Sequence, residues 1–145
     1  MENQYTTGHK LKAAWHSISR MYNSYTAPVG ISVQMAYVLL LLSSKKGTLS
    51  TQIAPLLGME AGSLTRLLRS MEDNLLIERK ADQLDKRQVS VYLTDQGQGK
   101  RRQARKIVKV FNDLIHNQID PEQMKTFFIV LEQIVELAED NHFKE

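Results

Sequence analysis

The apolar residues of this chain change their spacing once, after Asn74, and that change limits the fold more than any other feature. Before it, two short stretches, Thr51 to Leu57 and Ala61 to Asp73, carry apolar residues at helical spacing. Gly58-Met59-Glu60 makes a tight turn between them, and Ser50 stands where a side-chain cap for the first helix belongs. After it, Leu76 to Lys80 and Gln88 to Leu93 read as strands, the second alternating polar and apolar. The polar connector from Ala81 to Arg87 makes the pair a β-hairpin with a long tip.

The flanks are helical. His9 to Tyr25 places Leu11, Ala14, Trp15, Ile18, Met21 and Tyr22 at helical spacing, and Ala27-Pro28-Val29-Gly30 ends that helix. Ser32 is placed to cap a second helix running to about Ser44, apolar almost all round and therefore destined for the core. Thr94 caps a long helix to about Gln118. Asp120 followed by Pro121 is a strong start signal for a last helix, whose apolar face is Met124, Phe127, Phe128, Leu131, Ile134, Val135 and Ala138. The order α-α-α-α-β-β-α-α gives a fold class that is mainly α with a small β-hairpin wing, the layout of a winged helix-turn-helix. A chain of 145 residues suits one domain, 1–145. Within it the expected lobe is 32–97, with 1–30 and 98–145 as packing helices.

Charge is distributed unevenly. The net charge is only +3, yet Arg79 to Lys109 holds ten Lys or Arg against three acids. From Val110 onward eight acids face two lysines. Such asymmetry fits a polyanion partner for one part of the molecule. It fits equally a solvated basic helix followed by a solvated acidic one. The absence of cysteine excludes disulfides, thiolate metal sites and thiol redox chemistry. The first residues lack the apolar core of a secretory signal, and the longest apolar run, Ala36 to Leu42, is far short of a membrane span. The expectation is a cytoplasmic protein with no membrane partner.

On the second short helix, Leu64, Leu67, Leu68 and Met71 form one stripe and must face a core. Gly62, Arg66 and Arg69 lie nearly opposite, flanked by Ser63, Ser70 and Thr65. A helix presenting two arginines and small hydroxyls suits a DNA major groove, where arginine pairs with guanine and Ser or Thr bonds bases or phosphates. Gly62 lets the backbone approach closely. The competing reading is a solvated bundle helix. At the hairpin tip, Lys86 and Arg87 stand where a wing would meet a minor groove or its phosphates, and Asp85 is placed to pair with Arg87.

In order, Leu49-Ser50-Thr51-Gln52-Ile53-Ala54-Pro55-Leu56-Leu57-Gly58-Met59, Ser63 to Glu72, Leu76-Ile77-Glu78-Arg79, Asp85-Lys86-Arg87 and Val91 to Gly97 resemble the helix-turn-helix, wing and long-helix start of the MarR (multiple antibiotic resistance regulator) family. The resemblance covers nearly the whole chain. It implies a homodimer held by the N- and C-terminal helices, a double-stranded, pseudo-palindromic DNA operator, usually repression, and often a small-molecule effector bound between the dimer helices and the DNA-binding lobe. It also implies that Ser63, Thr65 and Arg66 face the groove and that Arg87 is the wing arginine; Arg69 is added from the helical wheel. Ser50, Lys45, Lys46 and Lys86 are the expected phosphate contacts.

Three departures stand out. Leu75 occupies a position where the family commonly has glycine, so Asn74 is expected to supply the left-handed cap. Pro55 lies inside a helix and should shorten or bend it. Lys86 replaces a frequent arginine, keeping charge but losing bidentate geometry. Trp15, Tyr22 and Tyr37 are candidate ligand-lining residues, with core or dimer-interface aromatics as the plainer reading. His9, His16, His116 and His142 are scattered, so no metal or other cofactor is expected. Gly97-Gln98-Gly99 lacks the third glycine of a nucleotide loop, and no nucleophile constellation supports an enzyme. The rival function is a winged-helix protein-interaction module that does not bind DNA.

Overall fold

A computed structural model describes residues 6–140. The chain forms two compact units, divided between Val108 and Lys109. The first contains α1 (Thr7–Thr26), a 3-10 turn (Ala27–Val29), α2 (Val33–Leu41), β1 (Thr48–Leu49), α3 (Ser50–Leu57), α4 (Ala61–Asp73), β2 (Ile77–Ala81), β3 (Val89–Leu93) and the start of α5 (Asp95–Gln118). The second holds the end of α5 and α6 (Pro121–Glu139).

Local chemistry accounts for most boundaries. Ser32 Oγ accepts from the Met35 N–H at 3.1 Å and starts α2. That helix stops at Leu41, short of the expected Ser44. Ser43 leaves the helix because its N–H donates to Thr48 Oγ1 at 3.1 Å, and its own hydroxyl accepts from the Lys45 and Lys46 N–H groups. Thr48 and Leu49 then pair with Val91 and Ser90, adding a third antiparallel strand in the order β1-β3-β2. The expected two-stranded hairpin is thus the larger part of a three-stranded sheet.

That strand also corrects the start of α3. Leu49, still extended, occupies the cap position without a side-chain bond, and Ser50 is the first helical residue instead of the cap. Pro55 is accommodated inside the eight-residue helix, which ends at Gly58 with φ 59°. Asp120 caps α6 through the Glu122 and Gln123 N–H groups, as its pairing with Pro121 predicts.

The core of the first unit is one apolar cluster. Val38, Leu39 and Leu42 from α2 and its end meet Ile53, Leu64, Leu68, Met71, Leu76, Ile77, Val91 and Ala104. Burying each large aliphatic side chain is worth about 1.5–3 kcal/mol. The largely apolar α2 packs Ala36, Val38 and Leu39 into that cluster, as expected of a helix apolar almost all round. Gly97 marks where α5 meets the sheet: a Cβ there would lie 1.9 Å from the Leu76 carbonyl oxygen. Thr94 fixes the same junction, its Oγ1 donating to the Leu75 carbonyl at 2.6 Å and accepting from the Gly97 N–H at 2.9 Å.

In the second unit α6 buries no residue. Phe127, Phe128, Ile129, Val130, Val135 and Leu137 are exposed, and the two phenylalanine rings meet at 5.6 Å. Among the described residues no single helix is long and apolar enough to cross a membrane.

Candidate nucleic-acid interface

The core holds α4 by one face and leaves the other free. Leu64, Leu68 and Met71 are buried and Leu67 is packed partly against the cluster, so the helix cannot rotate without exposing them. The opposite face carries Gly62, Thr65, Arg66 and Arg69, all exposed, with Ser63 half-buried beside them. A Cβ on Gly62 would meet no atom of the chain within 4 Å, so the space above that backbone is open. The Arg66 guanidinium donates to Ser63 Oγ at 3.3 Å. Thr65 Oγ1 donates back to the Ala61 carbonyl at 2.9 Å, which leaves its lone pairs free to accept. No acid lies on this face before the last turn.

The end of α4 is tied to the sheet by groups the sequence pattern does not reveal. The Arg79 N–H donates to Glu72 Oε1 at 3.2 Å, while its Nε and Nη2 donate to Oε2 at 3.0 and 2.7 Å. Hydrogen bonding from the Arg79 side chain is the main reason the Glu72 carboxyl sits below its ordinary pKa. Glu72 and Arg79 are seven residues apart across a helix end and a strand start, where neither helical nor strand periodicity pairs them. The left-handed residue in this turn is Leu75 (φ 57°), not Asn74 (φ −87°). Asn74 still belongs to the helical bonding pattern, with its N–H and its side-chain amide both donating to the Ser70 carbonyl. The reversal therefore falls one residue later.

The wing is built around two aspartates. Asp82 Oδ1 accepts from the Leu84 and Asp85 N–H groups at 2.9 and 3.1 Å, and Oδ2 accepts from the buried Ser90 hydroxyl at 2.8 Å. These bonds, led by that from the Asp85 backbone, hold the Asp82 carboxyl below its usual pKa. Asp85 accepts from the Arg87 N–H at 3.0 Å, and the Arg87 guanidinium approaches it at 3.5 Å. Lys86 and Arg87 point into solvent. The Asp82-x-x-Asp85 spacing is an Asx-turn signal the sequence reading could have used.

The remaining candidates lie elsewhere. Ser50 is half-buried beside Thr51 and Thr65, and Lys45 and Lys46 are exposed in the turn before β1. Trp15 and Tyr37 have ring centroids 5.9 Å apart, and Tyr22 meets Tyr37 edge-on at 6.2 Å. Tyr22 and Tyr37, with Thr26, Val33, Ala36, Leu40, Ala104, Ile107 and Val108, line a cavity of about 10 Å³; Trp15 does not line it and is largely exposed. That is space for one water, against the 300–1,000 Å³ of typical ligand pockets. The Thr26 hydroxyl is buried there without a hydrogen-bond partner. Burial pushes both tyrosine hydroxyls above their ordinary pKa, with Tyr37 adding to the effect on Tyr22. Among the described residues no three His, Asp or Glu side chains gather as a metal site.

This arrangement is shared with known proteins. The MarR family model matches residues 31–89, the segment from just before α2 to the first residue of β3. The HTH-type transcriptional regulator TtmR of Methylorubrum extorquens is 37% identical over 87 residues, 60% of this chain and 45% of that protein. The HTH-type transcriptional regulator PetP of Rhodobacter capsulatus is 26% identical over 103 residues, 71% of this chain and 62% of that one. The matches thus span under two thirds of either relative's length. Among solved structures, the S. aureus MepR-DNA complex superposes with a TM-score of 0.84 at 19% identity, covering 93% of this chain and 99% of that one. The transcriptional repressor CouR bound to a 23-mer DNA duplex gives 0.75 at 26% identity, covering 90% and 92%.

Proposed function

We propose that this chain is a MarR-family member, as the family model's match to residues 31–89 supports, and that it is a cytoplasmic, sequence-specific DNA-binding transcription regulator, acting as a homodimer on a pseudo-palindromic operator. The observation that carries this reading is the free face of α4: Ser63, Thr65, Arg66 and Arg69 on a helix whose other side is locked into the core. Arg66 and Ser63 read base edges in the major groove, with Thr65 accepting beside them. Arg69, Ser50, Lys45 and Lys46 position the helix through phosphates, and Lys86 and Arg87 extend the contact to the neighbouring groove. The named relatives are transcription regulators and the matched folds include DNA complexes, so a module that binds only protein is the less favoured reading.

An effector acts, in this reading, by linkage. A small molecule that opens the tight cavity beside Thr26, Tyr22 and Tyr37 selects a conformation other than the closed one, and DNA affinity changes by the difference between its affinities for the two states. Trp15 lies outside the cavity, its ring tilted against that of Tyr37.

Fluorescence anisotropy with the duplex upstream of the chain's own gene, and a scrambled duplex of equal length, tests the function. The expected result is tighter binding to the natural duplex, two chains per site, and a log–log salt slope of about −0.9 per phosphate neutralised. Absence of binding to both duplexes at low salt would remove DNA as the partner.

A further inference from the structure

The wing carries a side chain that the DNA-binding reading has not used. Leu84 is 98% exposed, the most exposed of the large apolar side chains among the described residues. It stands at the tip of the β2–β3 hairpin, on a backbone that is held from both sides. Its own N–H donates to Asp82, as does that of Asp85. The Asp82 N–H donates to the Gln88 carbonyl, and the Gln88 N–H returns to the Asp85 carbonyl, each at 2.9 Å. Both acids of the tip accept from donors of their own loop, Asp82 from the Leu84 and Asp85 N–H groups and Asp85 from the Arg87 N–H and the Gln88 side-chain amide. What the tip offers outward is the neutral pair Gln83 and Leu84 followed by two cations, Lys86 and Arg87. An apolar side chain beside a pair of cations matches a double-helical groove, where deoxyribose and base edges form an apolar floor alongside the phosphate walls. Apolar wedges of this size are used by proteins that read the minor groove.

Resting on the proposed DNA-binding function, we propose that Leu84 is a specificity-determining residue of the wing, inserted into the DNA minor groove while Lys86 and Arg87 hold the flanking phosphates. The contact favours base pairs without an exocyclic amino group in that groove, because the guanine N2 amine fills the space the leucine needs. It neutralises no charge, so it contributes affinity without releasing counterions.

The test begins with duplexes selected by the wild-type protein from a random pool. Leu84→Ala should melt with the wild type, since its side chain packs on nothing, and should bind a selected duplex roughly ten-fold more weakly with an unchanged salt slope. Arg87→Ala should instead flatten the slope by about one ion. At the base pairs under the wing, replacing guanosine by inosine removes only the minor-groove amine. Wild type should bind the inosine duplex more tightly than the guanosine duplex, and Leu84→Ala should lose that preference. Equal affinity of Leu84→Ala and wild type, or an inosine preference retained by Leu84→Ala, overturns the minor-groove contact and leaves the DNA-binding function standing. A change in oligomeric state of DNA-free Leu84→Ala overturns it too, by making the tip a protein contact. If the wild type selects no duplex, the DNA-binding function falls, and this contact falls with it.

Discussion

At residue scale, the turn after α4 shows a side chain in a conformation its chemistry disfavours. Leu75 holds φ 57° and exposes two thirds of its surface. Its neighbours force the conformation. The Leu75 N–H donates to Glu72, and the Leu76 N–H reaches back to Met71 at 2.9 Å, the pattern of a helix end closed by a left-handed residue. Leu76 must then enter the core at 2% exposure. A left-handed L-residue costs roughly 1–2 kcal/mol, and glycine's extra freedom when unfolded returns part of that. Leu75→Gly is therefore expected to stabilise by about 1 kcal/mol, a rise in Tm of roughly 3 °C. Thermal melting decides it, and an unchanged or lower Tm would mean that the leucine's contacts outweigh its backbone strain. The sequence flags Leu75 as unusual, but it does not say which residue turns left-handed. Asn74 is the better left-handed former, yet the helical hydrogen bonds to Ser70 retain it.

At the scale of elements, what was legible in the sequence is what periodicity and caps encode. The helices α1, α2, α4, α5 and α6, and the strands β2 and β3, follow from apolar spacing and from Ser32, Thr94 and Asp120 as caps. The strand β1 was not legible, because two residues carry no period and their partners lie some forty positions away. The same holds for the tie between α4 and β2. Glu72 and Arg79 join α4 to the sheet through three hydrogen bonds, with side chains 37% and 29% exposed. The charge component of such a half-exposed pair is modest, about 1 kcal/mol or less. Its sign with pH is fixed by the carboxyl. Glu72 has a lowered pKa in the folded chain, so its stabilisation is complete above the unfolded glutamate value of about 4.3 and is lost as pH falls through the lower folded value. Urea unfolding should show wild type more stable than Glu72→Gln by a constant margin from neutral pH to about 5, narrowing below about 4. A margin that stayed open in acid would assign the effect to side-chain shape and not to charge.

At the scale of the whole molecule, α6 is the element whose chemistry is least satisfied by its own chain. The acidic segment after Val110 carries a net −6, so α6 combines solubilising acids with a run of exposed aromatics and aliphatics. Phe127, Phe128, Ile129 and Val130 are consecutive and each is 45–53% exposed, which a chain working alone would leave in water at a cost of several kcal/mol. A second copy of the chain is the occupant that the proposed two-helix reading of DNA requires. Joining two lobes makes the second groove contact intramolecular, and such linkage raises affinity by 10²–10⁴ without any new contact to DNA. Phe128→Asp is placed to separate the two properties, because Phe128 is half-exposed in the single chain and its loss should leave the first unit folded. In multi-angle light scattering the wild type should run as a dimer and Phe128→Asp as a monomer. The variant should retain the wild-type far-UV circular dichroism and bind a palindromic duplex at least a hundred-fold more weakly. It should also bind a single half-site about as well as a wild-type lobe does. A variant that is monomeric yet keeps full affinity for the palindrome would show that one lobe suffices, and the exposed face of α6 would then need a different explanation.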